Sequence, residues 1–578
     1  MKNKNSYQQR QEDRRFEAEP AGPLNGEIDT VLLDGEGLTI GSLIQVARHR
    51  AEVRIAQRPE VLDRIDASRL YVQRAVGQGL RVYGVTTGVG GMSHLPVPSE
   101  QADEFQNNLL RFLRCGAGRR LPREDVRGAM LLRANSLTRG ASGIRYELIE
   151  RFTRFLNEGA TPHVFEFGSI GASGDLVPLS HIAGALIGLD AGFTVDFRGE
   201  TLDALTALRR MDLRPISLQA KEGLALINGT SMMTAMAARC LDDLQTLVAL
   251  ALGAHGLMFQ ALDASNQPLH PFIHQCKPHP GQMRAAQVML LLLEEAALMR
   301  NELAGGLDEN LPGLAQDRYS MRCLPQFFGP VIEGMWNLAR QIEIEMNSSN
   351  DNPLIDTERQ AAFHGGNFLG QYIGMGMDQI RTYPGLLAKH LDAQIALLVA
   401  PEFSNGLPGS LAGNPECRGN MGLKGLQLTG NSLMPLLTFF GNSFVDRFPT
   451  HAEQFNQNIN SQGFGAAWLA RQSIEMFQQY LAVALVFGVQ AVDLRCFARH
   501  GTYDARRFLS PATRRLYETV RQVVSRPVDA DAPFVRDDRD QPFDAWLRSV
   551  SHDIANDGLL PRVMSETRQR LISPFSIQ

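Results

Sequence analysis

Lys221–Leu262 reads KEGLALINGTSMMTAMAARCLDDLQTLVALALGAHGLMFQAL and holds no proline. Its apolar residues recur every three or four positions, which predicts a helix. A helix of about 30 residues is about 45 Å long, too long to fold around a small core. Gly281–Leu307, Pro330–Met346, Gly365–Leu398, Leu426–Phe444 and Gly463–Asp493 read the same way, with Pro384 set to kink the third of these. Shorter helical patterns precede them at Glu100–Gly116, Glu124–Thr138 and Tyr146–Gly159. The expected fold is therefore mainly α, an elongated bundle of long helices with a smaller mixed region before it. Near its start, VLLDGEGLTIGSLIQVARH from Val31 reads as a short strand pair followed by a helix. Several helices are apolar around most of their circumference, as in VMLLLL and LVALALGAHGLM, which predicts cover from other subunits.

The regions expected are a polar tail over 1–25, an N-terminal domain over 26–215, a helix bundle over 216–510 and a C-terminal helical region over 511–578. Arg526–Gln541 is charged and reads as a loop. The 578 residues are 44% hydrophobic and 21% charged, which is ordinary globular usage. A net charge of −5 argues against a nucleic-acid protein. Six cysteines without a CxxC pair suit a reducing compartment. The run Tyr480–Val492 is too short to span a bilayer, and the first residues show no secretory signal, so a cytoplasmic protein is expected.

Between the helices lie islands of Gly, Asn, Ser and Tyr, residues that disfavour helix interiors. They are Tyr83-Gly-Val-Thr-Thr-Gly-Val-Gly-Gly, Gly168-Ser-Ile-Gly-Ala-Ser-Gly-Asp-Leu, and Leu226-Ile-Asn-Gly-Thr-Ser with Asn228 inside a helical pattern. Gln316, Tyr319 and Arg322 follow at spacings of three, so one helical face could present them. A last group holds Asn347-Ser-Ser-Asn-Asp-Asn-Pro, His364-Gly-Gly-Asn-Phe and His451-Ala-Glu-Gln-Phe-Asn-Gln-Asn, where Glu453 and Gln457 stand four apart on one helix face.

The glycines of the first island fit no phosphate-binding pattern. The second island lacks the last glycine of a nucleophile elbow and by itself reads as a turn and helix N-cap. His270, His274, Cys276 and His279 crowd together, but prolines break their spacing; capping and loop hydrogen bonds are expected of them, not metal.

Gly-Ala-Ser-Gly-Asp-Leu-Val-Pro-Leu closely resembles the cofactor site of the aromatic amino acid ammonia-lyases. The other islands match that family's motifs in order, over about residues 30–570, most nearly those of its bacterial, cyanobacterial-type phenylalanine branch. The chain is too short for the C-terminal shielding insertion of the plant members. The resemblance implies a fumarase/aspartase-like helical fold whose N-terminal region carries 4-methylideneimidazol-5-one (MIO). MIO forms autocatalytically from Ala172, Ser173 and Gly174 with loss of two waters, and no external cofactor or metal is needed. The implied reaction is non-oxidative deamination of L-phenylalanine to trans-cinnamate and ammonia. Whether the electrophile engages the amine or the aromatic ring stays open.

The resemblance also assigns roles. Tyr83 matches the base that takes the β-proton, its phenol lowered by helix N-termini and a cationic neighbour. Arg322 matches the carboxylate clamp, with Asn228 and Tyr319 as helpers and Gln316 orienting it. Phe368 matches the residue beside the MIO ring, Glu453 and Gln457 the pair near the amine, and Lys424 a further family position. Phe112-Leu113 stands where a phenylalanine preference is set; a histidine at the first position accompanies tyrosine. Val89 replaces a common Phe or Tyr. A homotetramer with shared active sites is implied, with no nucleic-acid or membrane partner. A phenylalanine 2,3-aminomutase or a tyrosine or histidine ammonia-lyase of the same family is the alternative.

Overall fold

A computed structural model describes residues 29–303, 316–447 and 451–573. The tail expected over 1–25 lies outside them. The described chain is mainly helical, with short strands confined to two- and three-stranded sheets. It divides into two compact units. The first comprises the chain through Arg239, Ala339–Met377 and Ser443–Trp468; the second comprises Cys240–Leu338, Asp378–Asn442 and the chain from Leu469 onward. Neither is a consecutive stretch, because the helices Ser231–Ala261, Leu324–Met346, Gln371–Leu398 and Gly463–His500 each continue from one unit into the other.

The first unit opens with a strand, a helix and a strand, where a strand pair and then a helix was expected. Asp29–Leu33 pairs in parallel with Ala51–Ile55, and Ile40–Ala47 is the helix between them. Thr39 decides this: its side chain accepts from the Ser42 backbone N–H while the Ser42 side chain caps the Thr39 N–H. That capping box starts a helix where the alternation suggested a strand.

The long helices appear with three revisions. The Lys221–Leu262 pattern splits into Glu222–Ile227 and Ser231–Ala261 at an extended Asn228 and a Gly229 with φ of 155°. The pattern from Gly281 stops at Leu292, in the helix Pro280–Leu292. Past it, the Ala297 N–H pairs with the Phe508 carbonyl and the Arg300 N–H with that of Ala264. The pattern from Gly365 begins its helix only at Gln371, and the helix runs on through Pro384.

Ser231–Ala261 and Gly463–His500 are long and apolar enough to cross a membrane, although the apolar run within the latter had read as too short. Their most apolar windows are 94% and 89% buried within the chain, so they are core helices. That also revises the reading of their circumference: the chain itself covers them, and no second subunit is needed for it.

Candidate active site

The Ala172–Gly174 loop is assembled from below by the broken helix. Asn228 ends Glu222–Ile227 in extended conformation, and its side-chain Nδ2 donates to the Ser173 carbonyl at 2.8 Å. Its own carbonyl accepts from the buried Arg133 Nη1 at 2.8 Å. The Asp175 N–H donates to the Gly229 carbonyl at 2.7 Å, which bridges the two segments. The helix pattern breaks at Asn228 because these groups serve the loop instead of a helix ladder.

Gly174 has φ of +70°, and a Cβ there would lie 2.1 Å from the Gly229 oxygen. Only glycine fits, for conformation and for space. Gly174→Ala is expected to destabilise the protein by at least about 1–2 kcal/mol from the left-handed backbone alone, read by denaturant unfolding; unchanged stability would show that the loop has another shape.

Asp175 fixes the loop to the next helix. One carboxylate oxygen accepts from Ser169 Oγ at 2.9 Å and the other from the Met233 N–H, in the first turn of Ser231–Ala261, at 2.8 Å. Burial still pushes its carboxyl up to about 7, with Glu345 adding to the rise. Ser461 Oγ donates to the Gly171 carbonyl at 3.0 Å. Ser173 is half-buried, and its Oγ accepts from Gln457 Nε2 at 2.9 Å.

Gln457 reaches Ser173 from a segment that is not the expected helix. Glu453, Gln454 and Phe455 have φ of 48°, 54° and 64°, a left-handed turn closed by paired backbone bonds between Ala452 and Gln457. Such residues cost about 1–2 kcal/mol each, so the surroundings must hold them. Gly90, at φ +59°, is part of that holding: a Cβ there would lie 1.8 Å from Glu453 Oε2. The turn thus packs on the glycine loop of Tyr83.

The Tyr83 hydroxyl accepts from the Gly90 N–H at 2.9 Å, and the Tyr83 N–H donates to His364 Nε2 at 3.3 Å. Burial raises its pKa, the Gly90 N–H opposes that, and the Glu453 carboxylate raises it further. The lowering expected from a cationic neighbour is therefore not found among the described residues. Glu453 is itself pushed up by burial.

The remaining predicted residues lie as follows. Phe112 ends the helix Ala102–Phe112 with 55% of its surface exposed, while Leu113 is buried and its carbonyl accepts from Ser180 Oγ at 3.0 Å. Ser180 belongs to Leu176–Ile187, the helix that follows the Ala172–Gly174 loop. Phe368 is half-buried in the segment after His364. Within the second unit, Arg322 Nη1 donates to Gln316 Oε1 at 2.9 Å, and its guanidinium lies 4.5 Å from the centre of the Tyr319 ring. Only Tyr319–Arg322 is helical, so Gln316 joins them from the preceding bend and not from a helix face. Lys424 opens the helix Lys424–Phe440 and is exposed.

Sequence reading missed Arg133 and His364 as supports. Arg133 sits in an ordinary helical pattern and gave no signal; His364 stood in a quoted island without a role. His270 does cap a helix, accepting from the Phe272 N–H at 3.1 Å, and His274 bonds the Pro268 carbonyl.

This arrangement sets two side-chain amide donors on Ser173, one at its carbonyl and one at its hydroxyl. It also sets a phenol and a carboxylate on one glycine loop. The family model described as aromatic amino acid lyase matches residues 38–522. Phenylalanine ammonia-lyase of Nostoc punctiforme is 56% identical over 93% of this chain and 95% of its own length. Aromatic ammonia-lyase of Loktanella atrilutea is 46% identical over 94% and 99%. The crystal structure of tyrosine aminomutase from Streptomyces globisporus superposes with a TM-score of 0.81, at 30% identity over 93% of this chain and 98% of that one. The mainly helical fold, the motifs and these likenesses agree: the chain belongs to the aromatic amino acid lyase family and is a carbon–nitrogen lyase.

Proposed function

We propose that the chain is a phenylalanine ammonia-lyase, forming trans-cinnamate and ammonia from L-phenylalanine as a cytoplasmic homotetramer with its own MIO group. The carrying observation is the cradle at Ala172–Gly174, with its obligatory glycine and its two amide donors on Ser173. In the cyclisation the Gly174 nitrogen attacks the Ala172 carbonyl carbon. One water takes that oxygen with the Gly174 and Ser173 N–H hydrogens; the second takes the Ser173 hydroxyl with the Cα hydrogen. Asn228 draws electron density from the Ser173 carbonyl and so acidifies that Cα. Gln457 donates to the hydroxyl that must leave. The residues present therefore fit the group, and Asn228 and Gln457 would hold it. Once formed, MIO supplies an electrophile for a substrate whose β-hydrogen is barely acidic and whose amine leaves poorly.

The chain's other groups then bind substrate and move the proton. Arg322 clamps the carboxylate in bidentate fashion, with Gln316 and Tyr319 fixing the guanidinium. Glu453 pairs with the substrate ammonium, which brings the cation that Tyr83 otherwise lacks. Tyr83 accepts the β-proton, and the Gly90 N–H steadies its phenolate. Because burial and Glu453 raise the Tyr83 pKa, phenolate is scarce at neutral pH and kcat/KM is expected to rise through the alkaline range. Glu453→Gln removes the opposing charge, so the rising limb moves to lower pH. A limb that stays in place or moves up contradicts the coupling of Glu453 to Tyr83.

The homotetramer reading rests on the family and on exposed apolar surface. Leu428, Leu436 and Phe439 of Lys424–Phe440 are 70%, 48% and 71% exposed, and spacings of eight and three place them on one helix face. Tyr319 and Phe455 are exposed too. Copies of the chain cover these surfaces, and each active site combines residues of several chains.

The 56% likeness to the Nostoc enzyme, against 30% to the tyrosine aminomutase, favours elimination over amine migration. Phe112 and Leu113 offer no partner for a phenol hydroxyl, which favours phenylalanine. Purified protein with L-phenylalanine should yield free cinnamate, read in the near ultraviolet, and kcat/KM should exceed that for L-tyrosine at least about tenfold. β-Phenylalanine as the main product in chiral amine analysis, or a preference for tyrosine, would overturn the assignment.

A further inference from the structure

Tyr319–Arg322 is a single helical turn set off by Cys323 from the helix Leu324–Met346. It is held from outside, within the second unit. On one side the Asp317 carboxylate accepts from the Ser265 N–H at 2.7 Å and from Arg300 Nη2 at 2.8 Å. On the other, Gln394 Nε2 donates to the Ser320 carbonyl at 2.8 Å. Behind Gln394 stand two buried histidines. His255 Nδ1 lies 2.8 Å from Gln394 Oε1, and His390 Nδ1 lies 3.2 Å from His255 Nε2.

Hydrogen-bond chemistry gives this chain one direction. A backbone carbonyl only accepts, so Gln394 turns its NH2 to Ser320 and its oxygen to His255. That oxygen only accepts, so His255 carries its proton on Nδ1 and leaves Nε2 bare. His390 must then donate from Nδ1, and its Nε2 is the bare end. That last nitrogen is buried and has no partner among the described residues. Phe328 meets His255 edge-on at 5.4 Å, and Phe327 lies 4.8 Å from His390, which fixes both rings. Burial lowers the pKa of both histidines, that of His390 to about 4, so they stay neutral in ordinary buffers.

We propose that Gln394, His255 and His390 are positioning residues for substrate binding: their buried chain fixes the Ser320 carbonyl and thereby the direction in which Arg322 presents its guanidinium. The inference rests on the reading of Arg322 as the carboxylate clamp. The chain touches no reacting atom, so it acts on carboxylate binding and not on the chemical step.

The test uses the full-length enzyme with competitive inhibitors that differ at the carboxylate, trans-cinnamate and 3-phenylpropan-1-ol. Gln394→Leu should raise KM for L-phenylalanine and Ki for cinnamate about tenfold together, leaving kcat and the alcohol's Ki within about threefold. Gln394→Glu should do at least as much, since a carboxylate cannot donate to Ser320. His255→Leu should reproduce the loss, while His255→Asn, which keeps a donor toward Gln394, should restore binding to within about threefold. That pair decides the matter if the Gln394 variants do not fold. Equal effects on cinnamate and the alcohol, or no rescue by His255→Asn, would overturn the relay. Arg322→Ala separates the two readings: if it leaves cinnamate Ki unchanged, the clamp itself is wrong; if it raises that Ki while Gln394→Leu does not, only the relay is.

Discussion

Ser173→Ala is expected to fold and to lose turnover of L-phenylalanine by at least about 10³-fold, about 4 kcal/mol of barrier. Alanine has no hydroxyl to expel, so the exocyclic methylene cannot form. Folding survives because the loop is held through backbone groups. Asn228 bonds the Ser173 carbonyl, and Asp175 pairs with Gly229 through its own N–H. The substitution removes the side-chain hydrogen bond that Gln457 donates to Ser173, a matter of about 1 kcal/mol. Circular dichroism and steady-state assay together check this. Normal turnover in a folded Ser173→Ala protein would remove the cofactor from the account.

Tyr83→Phe should keep the loop chemistry intact and lower kcat by about 10²–10⁴-fold, the usual contribution of a positioned base. The phenol accepts a bond from the Gly90 N–H, and its loss costs stability of about 1–3 kcal/mol because that donor is partly buried. The variant should therefore show the same mass defect as the wild type while failing to remove the β-proton. Rapid-quench measurement of deuterium exchange at the substrate β-carbon separates the steps. A Tyr83→Phe enzyme with unchanged kcat would strip Tyr83 of its role.

The helices were legible because their apolar spacing persists over four turns or more, as in Ser231–Ala261 and Gly463–His500. Their ends were not, where side chains from distant positions take over the backbone groups. Arg133 is 95 residues from the Asn228 carbonyl it serves, so no local pattern around Asn228 announces the break. The Glu453–Phe455 turn was hidden for a related reason. Three consecutive left-handed residues contradict local preference, and they are understood only with Gly90 packed against them. The subunit cover read from apolar circumference is not needed for Ser231–Ala261, whose most apolar window the chain itself buries; Leu291, in VMLLLL, stays exposed. The exposed face on Lys424–Phe440 is the better sign of partners. The electrostatics of Tyr83 were the least legible. The sequence motif names the phenol, but the carboxylate beside it comes from 370 positions later in the chain.

The most direct test of the cyclised Ala172–Ser173–Gly174 loop is the mass of the intact, folded chain beside that of Ser173→Ala. The wild-type protein is expected to be two waters lighter than its translated sequence, the deficit mapping to the peptide that holds residues 172–174, and the variant to lack that deficit. A fully active wild-type chain at its full translated mass would contradict the cyclisation.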